Sequence, residues 1–501
     1  MNSSVRPPTL LEACLPVFLL IGLLTSSVLL FGDRSSSGPN QIALLLAGGC
    51  AAIIGVRLGH SWHSLEDGIV HGISLSLKAV LILLVVGSLV GSWIAAGIVP
   101  TMIDYGLRIL APSTFYFSCC VICCLASLAT GSSWTTASTL GIALIGIAVT
   151  QQLSLPLAAG AIISGAYFGD KMSPLSDTTN LAPAMSGTEL FTHIRHMMWT
   201  TIPSLVLALG GFLVAGWMAP RPTEPPDLHA VFETLEQSFN LGPHLLLPVA
   251  LVLFLVVRKV PALPALALGA LTGALFAVLF QSEALLRYVG ETSLPRSVAL
   301  LKGVWMTLFD GYKLTSSNSS LNELLSRGGM ASMLNTVWLI VSAMVFGAVM
   351  ERTQMLERIA QSMLRAAHSV SGLIAATLAT SLGMNIIASD QYIAIVLPGR
   401  MFRSEYQRRG LHPKNLSRAL EDAGTLTSPL VPWNTCGAFM SQTLGVATFA
   451  YLPFCFFNLL NPLISALYGA TGFTIEKLDS KTQAAQASEP TAPFGQGNAS
   501  R

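Results

Sequence analysis

The chain has 501 residues, of which 52% are apolar and 10% are charged, and its mean hydropathy is +0.63. This composition excludes an ordinary soluble domain and is typical of a protein that crosses a membrane many times, so the lipid bilayer is its expected surrounding. The formal net charge of +2 carries no information about partners, and no nucleic-acid partner is expected.

Apolar segments long enough to cross a hydrocarbon core of about 30 Å begin near the N-terminus. The first three are predicted at residues 10–31, 39–56 and 73–96. The polar interval between the second and third, residues 57–71, is predicted as a separate helix on the membrane surface. Lys78 lies near the start of the third segment, where its ammonium group can reach the interface.

Residues 97–112 are predicted as an interfacial helix, because Asp104 and Arg108 are four residues apart and can pair on one face. Residues 115–150 are too long for one crossing and are interrupted at 130–139 by T-G-S-S-W-T-T-A-S-T. Hydroxyls at this density can bind a small cation, although serine and threonine also close helix interfaces through backbone carbonyls. The candidate ligands here are Ser132, Ser133 and Thr135.

The most informative stretch is residues 164–186, S-G-A-Y-F-G-D-K-M-S-P-L-S-D-T-T-N-L-A-P-A-M-S. Acids at membrane depth are expensive and mark functional sites, so Asp170 and Asp177 are candidate ion ligands. Glycines and prolines in so short a span predict that the membrane helix unwinds here. Further candidate ligands are Ser173, Thr178, Thr179 and Asn180, with sodium predicted at Asp170, Asp177 and Asn180; Lys171 is either a counter-ion for an empty site or part of a structural ion pair.

The next histidines, His193 and His196, could sense pH or could simply lie at a solvated helix end. An acidic, proline-rich loop at 221–243 then divides the chain. The remaining predictions before the second broken segment are spans at 196–220, 244–257, 262–280 and 331–350, a long connection at 281–330 and a surface helix at 351–368.

The second half of the sequence repeats the pattern of the first, in which polar residues interrupt an apolar segment. The apolar segment 372–399 is broken by M-N-I-I-A-S-D-Q, and a basic loop at 400–418 precedes L-E-D-A-G-T-L-T-S-P-L-V-P-W-N. The tripeptide S-P-L occurs at 173–175 and again at 428–430. Interrupted apolar segments at corresponding places in two halves indicate an internal repeat with a midplane site. Candidate ligands in this half are Asn385, Asp390, Asp422, Thr427 and Asn434, although Asp422 could also simply pair with Arg418.

The chain is therefore divided into a first transmembrane half at 1–220, the loop at 221–243, a second half at 244–475 and a disordered tail at 476–501. The last clear span is predicted at 450–468, which brings the total to about eleven or twelve crossings. The basic loop at 400–418 is expected to be cytoplasmic by the positive-inside rule.

Several of these strings resemble the NhaC family of sodium/proton antiporters. They include G-S-S-W-T-T at 131–136, G-A-Y-F-G-D-K-M-S-P-L-S-D-T-T-N-L-A-P at 165–183 and the L-E-D-A-G-T-L-T-S-P-L-V-P-W-N string at 420–434. The resemblance implies an all-α exchanger of the bacterial inner membrane, with two inverted repeats whose helices are interrupted at the midplane. Some members resemble proteins that exchange malate for sodium and lactate, so the family alone does not fix the substrate.

Sodium is a hard cation that prefers oxygen ligands, and a proton can compete with it for the same carboxylate. A site that accepts either ion, but is never left without one, performs obligatory exchange. We therefore expect sodium/proton antiport, with transported Na+ and H+, no other cofactor, no enzyme activity, and a homodimer as a further expectation.

Three alternatives remain open at this point. An organic-acid exchanger for malate or lactate would need a cation such as Lys171 or Arg195 for the substrate carboxylate. An intramembrane aspartyl protease is disfavoured, because Tyr167 stands at the first glycine position of its G-x-G-D motif. Composition alone does not distinguish a transporter from a passive channel.

Overall fold

The computed structural model describes residues 5–32, 35, 37–219, 228–291, 293–316 and 318–478. Regular structure in these ranges is helical, apart from one isolated antiparallel bridge between Leu411 and Lys477. Nine of the described helices are long and apolar enough to cross a membrane, and the number rises to eleven if two bent pairs are each counted as one span. The prediction of an all-α polytopic membrane protein is confirmed.

Ten α-helices precede the undescribed residues 220–227. They are α1 (Leu10–Phe31), α2 (Pro39–Arg57), α3 (Trp62–Ala95), α4 (Ile98–Ile109), α5 (Phe115–Thr130), α6 (Ser133–Thr136), α7 (Ile142–Thr150), α8 (Leu155–Met172), α9 (Asp177–Ser186) and α10 (Leu190–Met218). A π-turn, Ala137–Gly141, joins α6 to α7. The predicted break in residues 115–150 is confirmed and lies at residues 131–132.

The third helix differs from its prediction. It begins at Trp62, where the Ser61 side chain accepts a hydrogen bond from the Ser64 amide at 3.2 Å. Residues 57–71 were predicted as a separate surface helix. From Trp62 onward they instead form the first turns of α3. With 34 residues this helix is longer than a bilayer crossing requires, so its polar first turns can extend beyond the apolar layer. The predicted pair of Asp104 and Arg108 on α4 is confirmed at 2.8 Å.

Six helices follow residue 227: α11 (Leu228–Ser238), α12 (Leu247–Val257), α13 (Ala262–Phe280), α14 (Ser282–Val289), α15 (Arg296–Phe309) and α16 (Ser319–Leu325). Of the predicted acidic loop, residues 228–238 are helical and 220–227 lie outside the described residues. The region predicted as a plain connection contains α14 to α16 and packs on α3. There the Gly329 amide donates to the Gly87 carbonyl at 2.7 Å, a close approach that the small residue at 87 permits.

The final helices are α17 (Leu334–Arg352), α18 (Met355–Ala366), α19 (Val370–Ile387), α20 (Gln391–Arg408), α21 (Pro413–Leu420), α22 (Thr435–Leu444), α23 (Thr448–Tyr451) and α24 (Phe456–Thr471). A second π-turn, Glu421–Thr425, continues α21. The basic segment predicted as a loop is mostly helical, because α20 extends to Arg408 and α21 begins at Pro413.

The start of the predicted tail is ordered. The His412 amide donates to the Glu476 carbonyl at 3.0 Å, and the Leu478 amide donates to the Gly410 carbonyl at 2.8 Å. Residues 476–478 thus run back along the start of α21, and the rest of the predicted disordered tail, residues 479–501, lies outside the described residues. The division into two inverted repeats remains a prediction.

Candidate ion-binding site

Four interruptions of the membrane helices surround the site, and each is followed by a helix whose first turn is capped by a polar side chain. The capping residues are Ser132, Ser176, Asp390 and Asn434, which accept backbone N–H bonds at the starts of α6, α9, α20 and α22. Capping satisfies amides that a helix start leaves without partners, which matters most where no water is available. Three of these four residues, Ser132, Asp390 and Asn434, were predicted as ion ligands, so each also has this structural role.

The broken region of the first half, around α6 and α9, meets that of the second half, around α20 and α22, in the interior. Trp134 of α6 stacks on Phe439 of α22, with ring centroids 4.0 Å apart. The Tyr451 hydroxyl donates to the carbonyl of Pro429, in the second S-P-L tripeptide, at 2.7 Å. The polar segments that the sequence places in separate halves are therefore packed into one region of the protein.

Asp170 is buried, with 7% exposure, in the last turn of α8. Its Oδ2 atom accepts hydrogen bonds from the Ser133 amide at 3.2 Å and the Ser133 hydroxyl at 2.6 Å. The predicted unwinding covers only residues 173–176, so Asp170 is presented by a helix and not by an extended strand. This differs from the sequence-based picture, because α8 keeps its hydrogen bonding through Met172 and ends only at the S-P-L loop.

The three residues predicted together as sodium ligands have different environments. The Asp177 side chain is 64% exposed and pairs with Lys78 at 3.1 Å, while the Tyr392 hydroxyl donates to it at 3.4 Å. Asn180 is also exposed, and its amide donates to the carbonyls of Pro174 and Ser176 in the loop. Only Asp170 of the three is buried, and the assignment of all three as one sodium site remains a prediction.

The threonines at the start of α9 connect α8 to the second π-turn. The Thr179 hydroxyl donates to the carbonyls of Asp170 at 3.0 Å and Lys171 at 2.9 Å, which lack helical partners at the end of α8. The Thr178 hydroxyl donates to Glu421 Oε1 at 3.0 Å. The Ser173 hydroxyl accepts from the Leu175 amide at 3.3 Å and so shapes the loop between α8 and α9.

The second π-turn presents two adjacent acids to the interior. Lys171 Nζ donates to Asp422 Oδ1, and the Thr200 hydroxyl of α10 donates to the same oxygen at 3.1 Å. Lys171, Glu421 and Asp422 are all fully buried. Among the described residues, Glu421 Oε2 and Asp422 Oδ2 are buried without a hydrogen-bond partner. These are oxygen atoms of the type that a hard monovalent cation prefers.

We refer to Asp170, Glu421 and Asp422 as the acid cluster. Asp170 and Glu421 are within electrostatic range of each other, and both Lys171 and Arg418 are within range of acids in the cluster. Arg418 is 1% exposed, yet it does not pair with Asp422 as the sequence suggested; its Nη1 atom donates to the Thr474 hydroxyl at 2.8 Å. This part of the interior thus holds three buried carboxylates and two buried cations, of which Lys171 bonds directly to Asp422.

Three of the predicted ligands in the second half form a separate hydrogen-bonded group. The Asn385 amide donates to the Gly424 carbonyl at 2.7 Å and to the Thr427 hydroxyl at 2.9 Å. The Asn434 amide donates to the side-chain oxygen of Asn385 at 3.1 Å. This group holds the end of α19 against the π-turn and positions the backbone that carries Glu421 and Asp422.

The hydroxyls of Ser132 and Thr135 bond to one another, 3.0 Å apart, and do not contact Asp170. The Asp390 carboxylate accepts from the amides of Tyr392 at 2.8 Å and Ile393 at 3.2 Å, so the start of α20 already stabilises its charge. The structure therefore brings Ser133 to Asp170 and Lys171 to Asp422.

Both predicted pH-sensing residues are buried on α10. His193 Nδ1 lies 2.8 Å from the Ser417 hydroxyl, and His196 Nδ1 lies 3.8 Å from Glu476 Oε1. His193 is also within electrostatic range of Lys171. Neither occupies the solvated helix end that was the alternative to sensing, although a role in sensing remains a prediction.

Sequence reasoning missed Glu421, Ser176 and Thr200. Glu421 adjoins Asp422 and carried the same signal, but its closeness to the basic segment suggested an ion pair with Arg418 instead of an ion-binding role. Ser176 follows the S-P-L tripeptide directly, in the position of a helix cap before Asp177. Thr200 lies in a long apolar helix, and nothing in its local sequence distinguishes it from a threonine that bonds its own backbone.

Known relatives extend over nearly the whole chain. The Na+/H+ antiporter family model matches residues 165–473. The Na+/H+ antiporter NhaC of Alkalihalophilus pseudofirmus is 39% identical over 440 residues, covering 88% of this chain and 91% of that protein.

Two further relatives have names that indicate other cargoes. A malate-2H+/Na+-lactate antiporter of Bacillus subtilis is 37% identical over 93% of this chain and 96% of its own length. An arginine/ornithine antiporter, ArcD, of Halobacterium salinarum is 33% identical over 97% of both chains. The family match covers more than half of the chain and includes the acid cluster and three of the four helix interruptions, whereas the interruption at 131–132 precedes it. The chain belongs to the Na+/H+ antiporter family.

Proposed function

We propose that this protein exchanges sodium ions for protons across the bacterial inner membrane, and that the acid cluster is where the two ions compete. The observation that carries the proposal is the charge balance of the cluster. Three carboxylates face two cations, so one negative charge is uncompensated when every group is ionised. An uncompensated charge in a poorly solvated interior is unfavourable, and one monovalent cation or one proton removes it.

The unpartnered carboxylate oxygens explain how either ion can be accepted. Glu421 Oε2 and Asp422 Oδ2 can bind sodium directly, or one of them can hold a proton. Because only one charge needs to be compensated, binding of the first ion removes the electrostatic reason to bind the second. This mutual exclusion is what antiport requires.

Lys171 supplies an internal counter-ion in this mechanism. Its ammonium group already pairs with Asp422, so the pair prevents Asp422 from remaining as an isolated buried charge after sodium leaves. The predicted cytoplasmic position of residues 400–418 follows from their basic character and is part of the proposal.

The test uses purified protein in liposomes that contain a trapped pH dye. An inward sodium gradient should raise the internal pH as protons leave, while an equal potassium gradient serves as the control for leak and membrane potential. Uptake of labelled sodium without any change of internal pH would rule out sodium/proton antiport.

A second candidate is exchange of small carboxylates such as malate or lactate, coupled to sodium. It is favoured by the name of the Bacillus subtilis relative and by the burial of Lys171 and Arg418, which could face a substrate carboxylate. Arg195, the other cation considered from the sequence, is exposed on α10 and does not support this role. The same liposomes, loaded with labelled malate or lactate, distinguish the candidates, since efflux that depends on external sodium is expected only for the second.

A further inference from the structure

One face of α24 carries a row of buried polar side chains. Asn458, Asn461 and Ser465 are three and four residues apart, the spacing that places side chains on one face of a helix. All three are fully buried, whereas Leu463, on the opposite side, is 65% exposed. We call these three residues the α24 polar row.

Most polar atoms of this row have no hydrogen-bond partner among the described residues. They are Asn458 Oδ1, both polar side-chain atoms of Asn461 and Ser465 Oγ. Leaving a buried amide or hydroxyl unpaired is unfavourable, because the group has given up its hydrogen bonds to water. Buried polar groups in proteins are almost always paired with protein atoms or with water, so a row of four such atoms favours contact with water.

The row lies beside the π-turn that carries Glu421 and Asp422 of the acid cluster. At one end the Asn458 amide donates to the Leu426 carbonyl at 2.9 Å, and beyond the other end Arg418 donates to Thr474 at 2.8 Å. Residues 418–426 and α24 therefore run antiparallel to each other, and Asn461 and Ser465 lie between these two contacts. Thr425 Oγ1 and Asp422 Oδ2, which also lack partners, belong to the same stretch.

Beyond the row, the segment that follows α24 reaches the protein surface beside α21. Glu476, with a side chain that is 51% exposed, pairs with Lys414 and lies 3.8 Å from His196. Its backbone is held on α21 by Asn415. The last described residues thus cover the point where α24 ends beside α21.

We propose that the α24 polar row lines a hydrated passage that connects the acid cluster to the face of the protein carrying Lys414 and Glu476. Water along Asn461 and Ser465 would satisfy the unpaired amide and hydroxyl atoms and would conduct the transported cation or proton to Asp422. The identity of the transported ion rests on the proposed function, whereas access of water does not. Glu476 and its neighbours form the outer closure of this passage.

The experiment measures the accessibility of a thiol placed in the row. Ser465→Cys and, in a second variant, Asn461→Cys are reacted with a small hydrophilic methanethiosulfonate in proteoliposomes. These reagents attack the thiolate, which forms only where water is present, so we expect reaction at least about tenfold faster than at Leu463→Cys on the lipid-facing side. The unmodified chain, treated in parallel, gives the background from its eight native cysteines.

A third variant tests the closure. Adding Glu476→Ala to Ser465→Cys should increase the reaction rate further, because the contacts to Lys414 and His196 are removed. Reaction at positions 465 and 461 no faster than at 463 would show a dry interface and overturn the proposal. Labelling needs no ion gradient, so it tests the passage independently of the proposed function. If the thiols are accessible but the protein does not exchange sodium for protons, the proposed function is wrong and the hydrated passage stands.

Discussion

Asp170 is the best defined acid at the site, because both its burial and its hydrogen-bond donor are fixed by the fold. Ser133, at the start of α6, donates hydrogen bonds to the Asp170 carboxylate close to where α5 packs against α8. A carboxylate held in this way is positioned before any ion arrives, which lowers the cost of assembling a ligand set. Asp177, by contrast, is exposed and paired with Lys78, so the two acids predicted as equivalent from the sequence differ in solvation.

Replacing Asp170 by Asn should abolish sodium-driven proton flux while leaving insertion and folding intact. The amide keeps the shape of the side chain but removes the negative charge that must change partners. Internal pH of proteoliposomes under a sodium gradient is the measurement. Asp310→Asn is the matched control, since Asp310 is exposed and, among the described residues, pairs with the surface residue Lys313. Wild-type flux in Asp170→Asn would exclude this carboxylate from the transport site.

The buried pair of Lys171 and Asp422 leads to a second residue-scale prediction. Lys171→Met alone leaves Asp422 without its counter-ion and should destabilise the protein by about 3–5 kcal/mol. Lys171→Met combined with Asp422→Leu removes both charges and should restore much of that loss, although exchange should be absent in both variants. Thermal unfolding in detergent and flux in liposomes provide the two readouts. A double variant that is as unstable as the sum of the single variants would show that the two residues do not interact.

Among the elements, the packing of α5 against α8 determines where Asp170 and Ser133 lie. Gly165 and Gly169 line this contact, and a Cβ atom at Gly169 would lie 2.5 Å from the Cβ atom of Ser127. At Gly165 it would lie 2.8 Å from the Cβ atom of Cys123. Small residues allow membrane helices to approach closely, and here the approach brings the end of α8 to the start of α6.

Gly169→Ala should therefore lower stability by about 1–3 kcal/mol through overpacking. It should also weaken sodium binding, because separating the helices moves Ser133 away from Asp170. Thermal unfolding with and without sodium measures both effects. Gly210→Ala on α10 is the matched control, since a Cβ atom there meets nothing within 4 Å and alanine favours helix. Equal melting temperatures for the two variants would contradict the importance of this contact.

At the scale of the whole molecule, antiport requires that sodium and the proton neutralise the same negative charge of the acid cluster, one at a time. If sodium and protons share the acid cluster, raising the proton concentration should raise the apparent half-saturation constant for sodium, because a protonated acid is a poorer ligand. At sufficiently alkaline pH this dependence should level off. Initial rates of sodium-driven flux across a pH series provide the measurement. A half-saturation constant for sodium that does not change over the pH range in which the transport rate changes would indicate separate sites, with His193 or His196 as the proton carrier.

Much of the architecture could be predicted because polar residues, glycine and proline inside apolar segments have few explanations at membrane depth. The breaks near Pro174 and Asp390 are examples. The orientation of each acid could not be predicted, since it depends on where each helix ends. Asp177 is the first residue of α9, directly after the capping residue Ser176, and its side chain is exposed, whereas Glu421 is the first residue of the second π-turn and is buried.

The same π-turns restrict how this sequence can change. Residues 137–141 and 421–425 each form a turn that contains one more residue than an α-helical turn. The first follows α6, which begins with Ser133, and the second contains Glu421 and Asp422. Deleting one residue from either segment would restore a regular helix and rotate everything beyond it by about 100° relative to what precedes it. Substitutions at positions that carry no acid of the site keep this geometry, whereas a gain or loss of a single residue does not. Homologous proteins that keep this ion site should align here without gaps.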